Sequence, residues 1–483
     1  MKKPNILFIL SDDQGPWALG CAGTPELITP NIDKLASEGM RCTNFFCASP
    51  VCSPARASIL TGTIPSKHGV LDWIAAGSME GDLKDSVIYN DKDKNEPIQY
   101  LKGFISYTDI LAQNGYICGL SGKWHLGDSF TPQMSLKSNY VCQFGGGSYY
   151  NHPVIKDGVP CLEPKYLTDA ITDNAIEFIE ENATRQNPFY LSVHYTAPHT
   201  PWINNHPKEF VEMYDNCIFS SLPVTALKKS SMWPQELVAG TDEWKENLKG
   251  YFASITAMDM NIGRIVDILK LLGIYDNTLI VFTSDNGFNC GHHGIWGKGN
   301  GTFPLNMYDE SVKVPAVFCH KGVIKHNICE NLLSAYDIMP TLLDYVGIKI
   351  PGDEKRPGKS FVYLLKGEEY EDRENVVIFD EYGPVRMIRS KKWKYIHRYS
   401  YGPHELYDLE NDPGEDNNLI DKTDYIKITL QMRSNLFKWF DKYADPINDG
   451  SKHGVTGLGQ TSLSTGINPW RTSEEIKKRI NKL

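Results

Sequence analysis

The residues whose types most clearly suggest chemical reactivity surround one cysteine. Cys52 stands in the stretch ASPVCSPARASILTG, where Pro54 and Arg56 follow it and a run of small residues can begin a helix. A thiol in this setting can be a nucleophile, a metal ligand, half of a disulfide, a small buried apolar group or the precursor of a modified residue. The spacing of Cys42, Cys47 and Cys52 is not CxxC, which disfavours a structural zinc site.

A second set of polar residues follows short apolar runs. Asp12 and Asp13 come directly after NILFIL and a serine, and Asp285 and Asn286 belong to SDNG after the run TLIVFT. An Asp after a strand is more often a helix cap or a turn former than a ligand. Three carboxylates and one amide oxygen nevertheless form a hard oxygen set, which suits Ca²⁺ or Mg²⁺ rather than Zn²⁺. Because clustered carboxylates repel one another, a divalent cation is their natural counter-charge.

Basic and imidazole side chains follow two further apolar runs. Lys123 and His125 lie in SGKWHLG, and His199 lies in TAPHTP. Each of these residues alone is more often a solvated loop position than a catalytic group. In open α/β sheets, however, ligands bind beyond the carboxyl ends of the strands. Four polar clusters at four strand ends therefore predict one shared site.

The elements that must hold these residues are predicted as buried parallel strands separated by helices. The predicted strands cover residues 5–10, 116–120, 189–195, 278–283 and 314–319. Apolar residues at helical spacing also predict an amphipathic helix over 250–272. This alternation predicts an α/β fold with a large mixed, mostly parallel sheet flanked by helices.

The pattern changes after about residue 365. The charged stretch KGEEYEDRE precedes a strand predicted at 376–379, and VRMIRSKKWKYIHRY and HELYDLENDPGEDNN indicate antiparallel strands and a turn-rich loop. We therefore predict a catalytic domain over 1–365 and a smaller α+β domain with an antiparallel sheet over 366–445. The Gly/Ser/Thr-rich tail over 446–483 is expected to wrap the surface, cross to another subunit or be mobile.

The bulk composition excludes several classes of protein. The chain has 483 residues, 41% hydrophobic and 22% charged, as expected for a globular enzyme of more than one domain. Its net charge of −10 argues against a nucleic-acid partner, and no apolar run approaches the roughly 20 residues of a membrane span. The run over 6–10 is too short for a signal peptide, and the 11 cysteines show no disulfide framework. These features predict a cytoplasmic protein without a membrane partner.

Taken together, the motifs resemble those of type I sulfatases. CSPAR matches the C-x-P-x-R signature of that family, in which the cysteine is oxidised to formylglycine. PNILFILSDDQ, ASILTG, GKWHLG, APHTP, SDNG, WGKG and ELYDLENDPGEDNN also resemble the family and occur in its order over about residues 4–420. The resemblance implies a formylglycine-dependent sulfatase with an alkaline phosphatase-like fold, of the kind that bacteria use on carbohydrates.

The resemblance also implies roles for individual residues. One divalent cation, usually Ca²⁺ in this family and with Mg²⁺ as the alternative, would bind modified residue 52 together with Asp12, Asp13, Asp285 and Asn286. Arg56 would orient residue 52. The sulfate would be surrounded by Lys123, His125, His199 and Lys298. His199 would protonate the leaving oxygen and His125 would handle the proton of residue 52, although these two roles could be exchanged.

The aldehyde explains why the family modifies a cysteine. One hydroxyl of its hydrate would attack sulfur and form a covalent sulfo-enzyme intermediate, and loss of the second hydroxyl proton would then expel inorganic sulfate. The conversion implies a maturation partner, either a formylglycine-generating enzyme or an anaerobic sulfatase-maturating enzyme.

Three rival functions remain at this point. A phosphonate monoester or phosphodiester hydrolase of the same superfamily can share formylglycine and much of the metal set. An inactive sulfatase-fold binding protein would be expected to lack Cys52, Arg56 or a metal ligand, and none of these is missing. A cysteine hydrolase that uses the Cys52 thiolate would need an adjacent base, which Pro54 and Arg56 do not offer.

The expected substrate is a sulfated sugar of the glycosaminoglycan type, from whose terminal residue the enzyme would remove sulfate (exo action). Aromatic faces suit pyranose rings, and arginine suits a uronate or a second sulfate. An oligomer is compatible with the sequence. Candidate sugar-binding residues, each more often a core aromatic or a solvated base, are Trp73, Trp202, His293, Arg386, Arg389, His397, Arg398 and His404.

Overall fold

The computed structural model describes residues 3–77, 97–130, 133–142, 146–223, 240–302, 304–352, 355–380, 384–400, 402–466, 469–472 and 474. Much of the predicted tail is therefore described, whereas residues 467–468, 473 and 475–483 lie outside the described part.

The secondary structure alternates between strands and helices over the first 350 residues. The strands are β1 (Asn5–Ser11), β2 (Met40–Cys42), β3 (Phe45–Phe46), β4 (Ile117–Lys123), β5 (Lys137–Cys142), β6 (His152–Lys156), β7 (Val159–Glu163), β8 (Phe189–His194), β9 (Thr278–Ser284), β10 (Ala316–Cys319), β11 (Asn327–Cys329), β12 (Leu333–Ser334), β13 (Val376–Asp380), β14 (Val385–Arg389), β15 (Trp393–Arg398) and β16 (Glu405–Asp408). The helices are α1 (Pro30–Glu38), α2 (Cys52–Thr61), α3 (Pro65–His68), α4 (Tyr107–Gln113), α5 (Leu167–Asn182), α6 (Lys208–Glu212), α7 (Asp242–Leu271), α8 (Asp309–Val312), α9 (Ile338–Tyr345), α10 (Val362–Leu365) and α11 (Ile426–Tyr443).

One large mixed sheet forms the centre of the protein, as predicted. Its strand order is β11-β2-β10-β9-β1-β8-β4-β5-β6-β7. The central strands β9, β1, β8, β4 and β5 run parallel to their neighbours within this group. The strand predicted at 314–319 begins at Ala316 and pairs antiparallel with both β9 and β2, so the prediction of a parallel strand was wrong there. An apolar run indicates burial but does not encode strand direction.

Both faces of the sheet are covered, which explains the continuous apolar runs. Ile6, Phe8 and Leu10 of β1 face one core, and Leu7 and Ile9 face the other. The second core is closed by α1, α5 and α7. Helix α7 covers the predicted helix up to Leu271 but begins earlier, at Asp242.

That earlier start has a local cause. The Thr241 side chain accepts a hydrogen bond from the Trp244 backbone N–H, and Asp242 and Glu243 lie in the first turn. Threonine is a favoured N-cap, and acidic residues near a helix N-terminus are stabilising. No helix in the described part of the chain is long and apolar enough to cross a membrane.

The predicted antiparallel sheet is also present. Strands β13, β14, β15 and β16 pair in that order, each antiparallel to the next, and α11 packs on β14 and β15. The described part of the tail returns to the first half of the chain, because Ile74 and Gln460 form a parallel bridge. The domain boundaries at residues 365 and 445 stay predictions.

Candidate active site

Four adjacent parallel strands place the predicted polar clusters together. Strands β9, β1, β8 and β4 are neighbours in that order. Their carboxyl ends lead to Asp285, to Asp12 and Asp13, to His199, and to Lys123, which is the last residue of β4. Backbone hydrogen bonds hold these ends in register, with Asp285 N–H donating to the Ser11 carbonyl and Asp12 N–H donating to the Ala197 carbonyl. The sheet order therefore creates the convergence that the sequence predicted.

Helix α2 carries Cys52 into this convergence. Cys52 is the first residue of the helix, so it lies at the helix end where backbone N–H groups and positive partial charge are exposed. Its Sγ lies 3.4 Å from Asp12 Oδ1. The helix ends at Gly62, which has φ of 62° and donates its N–H to the Ser58 carbonyl. Every residue of α2 is buried, and the side chain at position 52 is fixed by the fold around it.

Arg56, one turn after Cys52, bridges two of the carboxylates. Its Nε donates to Asp285 Oδ2 at 2.9 Å, and its Nη2 donates to Asp12 Oδ2 at 3.0 Å. Nη1 donates to the Lys123 carbonyl at 3.0 Å. With Arg56 only 1% exposed, these bonds are shielded from water. The guanidinium thus ties together the ends of β1, β9 and β4.

Two lysines complete the positive side of the site. Lys123 Nζ contacts the Asp12 carboxylate, and Lys298 Nζ contacts the Asp13 carboxylate. Lys298 Nζ also lies 2.9 Å from Cys52 Sγ. Burial alone would lower the pKa of Lys298, but the negative charges around it, to which Asp13 contributes most, together raise the pKa. Both cations therefore lie beside the position where an anion would meet residue 52.

The oxygen set can accept a divalent cation. Ligand atoms of Asp12, Asp13, Cys52 and Asp285 all lie within 4.8 Å of one another. Asn286 Nδ2 donates to Asp13 Oδ1 at 2.8 Å, whereas the buried Asn286 Oδ1 has no hydrogen-bond partner among the described residues. A buried unpaired amide oxygen costs free energy, and a metal ion would remove that cost. The donor set fits a hard cation.

The carboxylates titrate in opposite directions within this cluster. Burial would raise the pKa of Asp12, but Lys123, His199 and the nearby guanidinium hold it far below its usual range. Burial and the negative charge of Asp12 raise the pKa of Asp285 to about 6. Burial also raises the pKa of the Cys52 thiol to about 12, and Asp12 adds to that effect. Burial and Asp12 therefore favour the neutral thiol of unmodified Cys52.

The two predicted histidines flank the cluster and are oriented by backbone carbonyls. His199 Nδ1 bonds to the Thr200 carbonyl at 2.8 Å, and its Nε2 lies 3.6 Å from Asp13 Oδ2. His125 Nε2 bonds to the Ile74 carbonyl at 3.0 Å, while its buried Nδ1 has no hydrogen-bond partner among the described residues. Burial lowers the pKa of both imidazoles. Each ring has one nitrogen fixed by a carbonyl and one nitrogen left for proton exchange.

Three candidate sugar residues lie outside this convergence of charges. Trp202 is 6% exposed and its indole N–H donates to the Pro198 carbonyl at 2.7 Å. His293 Nε2 bonds to Glu310 Oε2 at 2.8 Å, and its ring stacks on Tyr308. The half-buried Trp73 ring packs under the Arg471 guanidinium, whose Cζ lies 5.1 Å from the ring centre.

The candidates of the C-terminal sheet have partners of their own. Arg386 bonds to Asp449 and covers the Phe440 ring, and Arg389 bonds to the Ser390 carbonyl and to Asp309. His397 stacks on His404 with 4.3 Å between ring centres, and the Tyr395 hydroxyl bonds to His397 Nδ1. Arg398 bonds to the carbonyls of Leu305 and Pro403 and to Glu405. Sugar binding by these residues stays a prediction.

Several residues near the site were not identified from the sequence. His194, at the end of β8, bonds through Nδ1 to the Lys123 carbonyl at 3.1 Å. His68 Nε2 bonds to the Ser58 hydroxyl at 3.0 Å and thereby joins α3 to α2. The pair His68–Gly69, which follows the ASILTG stretch by a few residues, is a local signal that could have marked His68. Their partners are a backbone carbonyl and a hydroxyl, which spacing does not indicate.

Comparison with known proteins gives consistent matches over most of the chain. The Sulfatase family model matches residues 4–348, and the model of the N-sulphoglucosamine sulphohydrolase C-terminal region matches residues 291–442. The chain is 28% identical to N-acetylglucosamine-6-O-sulfatase of Bacteroides thetaiotaomicron, over 92% of this chain and 87% of that protein. It is 30% identical to an ulvan-active sulfatase of Formosa agariphila, over 92% and 82%.

One solved structure that is similar to this chain contains a bound sugar. It is a complex of a protein with its substrate D-glucosamine-2-N,6-O-disulfate. The match has a TM-score of 0.75 at 26% identity and covers 94% of this chain and 100% of that chain.

Proposed function

Because the chain belongs to the sulfatase family and is a sulfuric ester hydrolase, we propose that it removes sulfate from sulfated sugars through a formylglycine at position 52. One observation carries the proposal: Cys52 Sγ lies 3.4 Å from Asp12 Oδ1 and 2.9 Å from Lys298 Nζ. Residue 52 thus stands between the oxygen set that suits a cation and an ammonium that suits sulfate. The family uses a divalent metal and a formylglycine, and this arrangement has a place for each.

The state of the thiol supports modification at position 52. Burial raises the pKa of Cys52 to about 12, which disfavours the thiolate that a cysteine hydrolase would need. The hydrate of formylglycine would supply one hydroxyl to attack sulfur and a second whose proton loss releases sulfate. This difference favours the sulfatase chemistry over a cysteine hydrolase.

We assign the metal position to Asp12, Asp13, Asp285 and Asn286, with residue 52 as a further ligand. The ion is proposed to be Ca²⁺, with Mg²⁺ as the alternative, because carboxylate and amide oxygens are the ligands of hard cations. When bound, such an ion lowers the pKa of a hydroxyl and polarises a sulfuryl oxygen. Asn286 Oδ1, buried without a hydrogen-bond partner in the described structure, supports this assignment.

Lys123 and Lys298 are proposed to hold the sulfate, while Arg56 orients residue 52. Arg56, Lys123 and Lys298 carry three positive charges, which balance the three carboxylates of the site. With a divalent cation the site would have a formal charge of +2 before substrate binds. A chain with a net charge of −10 can therefore still bind an anion, because the local field decides.

Proton transfer is assigned to the two histidines. His199 is proposed to protonate the leaving oxygen of the sugar, because Nδ1 is engaged with the Thr200 carbonyl and Nε2 faces the charged cluster. His125 is proposed to accept the proton of residue 52 through Nδ1. The reverse assignment is the alternative.

The substrate class follows from the relatives. Two relatives are named for N-acetylglucosamine 6-O-sulfate and ulvan, and the solved complex holds a disulfated glucosamine. We propose exo action on glycosaminoglycan-type mono- or oligosaccharides. A small aryl sulfate should also be cleaved, because its good leaving group needs less assistance from a general acid.

Two measurements test the function. In protein co-expressed with a maturation enzyme, the tryptic peptide over residues 42–56 should lose about 18 Da when the thiol becomes an aldehyde. Ion chromatography should then detect sulfate release from glucosamine-2-N,6-O-disulfate, N-acetylglucosamine 6-sulfate or an aryl sulfate. An unmodified cysteine with full turnover would overturn the mechanism, and turnover of a phosphonate monoester in preference to every sulfate would establish the rival function.

A further inference from the structure

The segment over residues 69–77 connects the active site with the tail. Inside the site, the Ile74 carbonyl bonds to His125 Nε2 at 3.0 Å. The Ile74 backbone N–H donates to the Ser53 hydroxyl at 3.0 Å, and Ser53 is the neighbour of Cys52. The peptide group before Ile74 therefore contacts the helix that begins at residue 52, and the peptide group after Ile74 contacts a proposed proton-transfer residue.

Gln460 of the tail holds this segment from the other side. Its backbone N–H donates to the Trp73 carbonyl at 2.7 Å, and its carbonyl accepts from the Ala75 N–H at 2.7 Å. These two bonds form a short parallel pairing with residue 74 at its centre. A paired backbone position is harder to shift than a free loop.

The Gln460 side chain fixes the same segment at two further points. Oε1 accepts from the Leu71 N–H at 3.0 Å, and Nε2 donates to the Gly69 carbonyl at 3.1 Å and to the Ser462 carbonyl at 2.9 Å. The residue has no exposed surface. Asp72 adds a parallel link, because its carboxylate accepts from the N–H groups of Trp73 and Gly459.

The orientation of His125 depends on this arrangement. A carbonyl can only accept a hydrogen bond, so the bond from Nε2 to the Ile74 oxygen places the proton on Nε2 and leaves Nδ1 as the acceptor. A shift of Ile74 would release the ring or allow the other tautomer. Because proton transfer needs hydrogen-bond geometry, a displacement of about 1 Å can lower a rate about 100-fold.

We propose that Gln460 is a positioning residue: it fixes the Ile74 carbonyl, which holds His125 in the orientation that accepts the proton of residue 52. The C-terminal tail is then part of the active-site structure although it touches no reacting atom. The proposal rests on the proposed function of His125 and deepens it.

A double-mutant cycle tests the proposal in the matured full-length protein. Gln460→Met keeps the side-chain length and the backbone pairing but removes three side-chain hydrogen bonds. With an aryl sulfate, kcat should fall about 10- to 100-fold while KM and Ca²⁺ affinity stay within about twofold. In a His125→Ala background, the same Gln460→Met change should lower kcat by less than about twofold, because no ring remains to be positioned.

Ser464→Ala is the matched control. Ser464 is a buried tail residue whose hydroxyl donates to Asn448 at 2.6 Å, and its loss should leave kcat unchanged. Should Gln460→Met fail to fold, Gln460→Glu preserves the acceptor for Leu71 and removes the two Nε2 bonds, and it enters the same cycle.

The outcomes separate the two claims. Unchanged kcat in a folded Gln460 variant, or an equal loss with and without His125, would overturn the positioning role. A His125→Ala variant with full activity would refute the proposed function of His125 itself, whatever the Gln460 result.

Discussion

Two regions of this protein contain buried charged side chains, and they differ in how many of the buried polar atoms have a hydrogen-bond partner. At the strand ends, three carboxylates meet Arg56 and two lysines, and the Asn286 oxygen has no hydrogen-bond partner among the described residues. In the C-terminal sheet, Arg398 bonds to two carbonyls and to Glu405. Arg386 there bonds to Asp449 and to the Ser66 hydroxyl.

The difference separates the proposed metal and proton positions from Arg398, but an unpaired buried atom does not mark a site by itself, because Arg389 Nε in β14 is also buried without a hydrogen-bond partner among the described residues. Buried polar atoms are normally paired, because an unpaired one costs about 1–3 kcal/mol. The strand-end cluster keeps unpaired atoms on Asn286 and His125, at the places where a metal and a proton would be accepted. Arg398 uses all three of its nitrogens to hold the fold. Residue type alone does not distinguish the two cases.

The largest expected effect comes from the nucleophile position. Cys52→Ala should reduce sulfate release at least about 10⁴-fold, since it removes the precursor of the attacking group. The unfolding transition should change little, because only one small atom is lost. Sulfate release and thermal unfolding of this variant would be measured beside the matured wild-type protein. Near-normal turnover would show that the reaction does not depend on residue 52.

The next prediction concerns Ca²⁺ binding by the unpaired oxygen of Asn286. Asn286→Ala should weaken Ca²⁺ binding at least about tenfold, about 1.4 kcal/mol, by calorimetric titration. Asn306 is a matched control, because it is buried and its Oδ1 already accepts from the Ser311 hydroxyl. Asn306→Ala should lower stability and leave Ca²⁺ affinity unchanged. Equal losses of affinity in both variants would show that pairing does not mark the metal site.

The C-terminal sheet should respond in stability rather than in catalysis. Arg398→Met should lower the free energy of unfolding by about 2–4 kcal/mol, because Glu405 and the Leu305 carbonyl lose a buried partner. Below the unfolding transition, kcat/KM on a monosaccharide sulfate should stay within about threefold. Lys165→Met, which breaks an exposed pair with Asp173, should leave stability nearly unchanged. A selective rise in KM would instead make Arg398 a sugar-binding residue.

The smallest effect concerns the stacked histidines. Burial and the nearby His404 lower the pKa of His397 to about 4 from 6.5. The folded state therefore binds this proton less readily than the unfolded chain. The resulting stability is present above pH 6.5 and is lost as the pH falls towards 4. Because solvent screens this partly exposed group, we expect an effect of about 1 kcal/mol. Between pH 7.5 and 5, His397→Asn should lose about that much less free energy of unfolding than the unsubstituted protein, measured by urea unfolding. An identical pH dependence in both proteins would contradict this assignment.

The sequence predicted the parts of the fold that depend on local patterns. Continuous apolar runs located β1 and β9 almost to the residue, and the polar residues after them mark the strand-end site. Helical spacing located the centre of α7 but missed its first turns, where capping by Thr241 rather than apolar spacing begins the helix. The reversed direction of β10 had no local signal, because it depends on which strands become neighbours.

Residues that act through backbone partners were beyond sequence reasoning. Every residue has a backbone carbonyl, so the residue type does not mark Ile74 as a hydrogen-bond partner. Gln460 lies 391 residues after Gly69, whose carbonyl it binds. The sugar candidates illustrate the opposite problem, because suitable residue types such as Trp202 and Arg398 are engaged by nearby carbonyls. Spacing indicates which residues can do chemistry, and only packing shows which partners they already have.

The depth of Cys52 has a consequence for the order of events during synthesis. The residue is 3% exposed in the folded protein, so the proposed maturation enzyme would have to reach it before this region folds. Arg56 and its partner Asp285 are separated by 229 residues. A ribosome adding about 5–20 residues per second takes roughly 10–50 s to make that stretch. Until Asp285 is synthesised Arg56 lacks this partner, although Asp12 is already present, and the delay would give the proposed modifying enzyme a time window before the region closes.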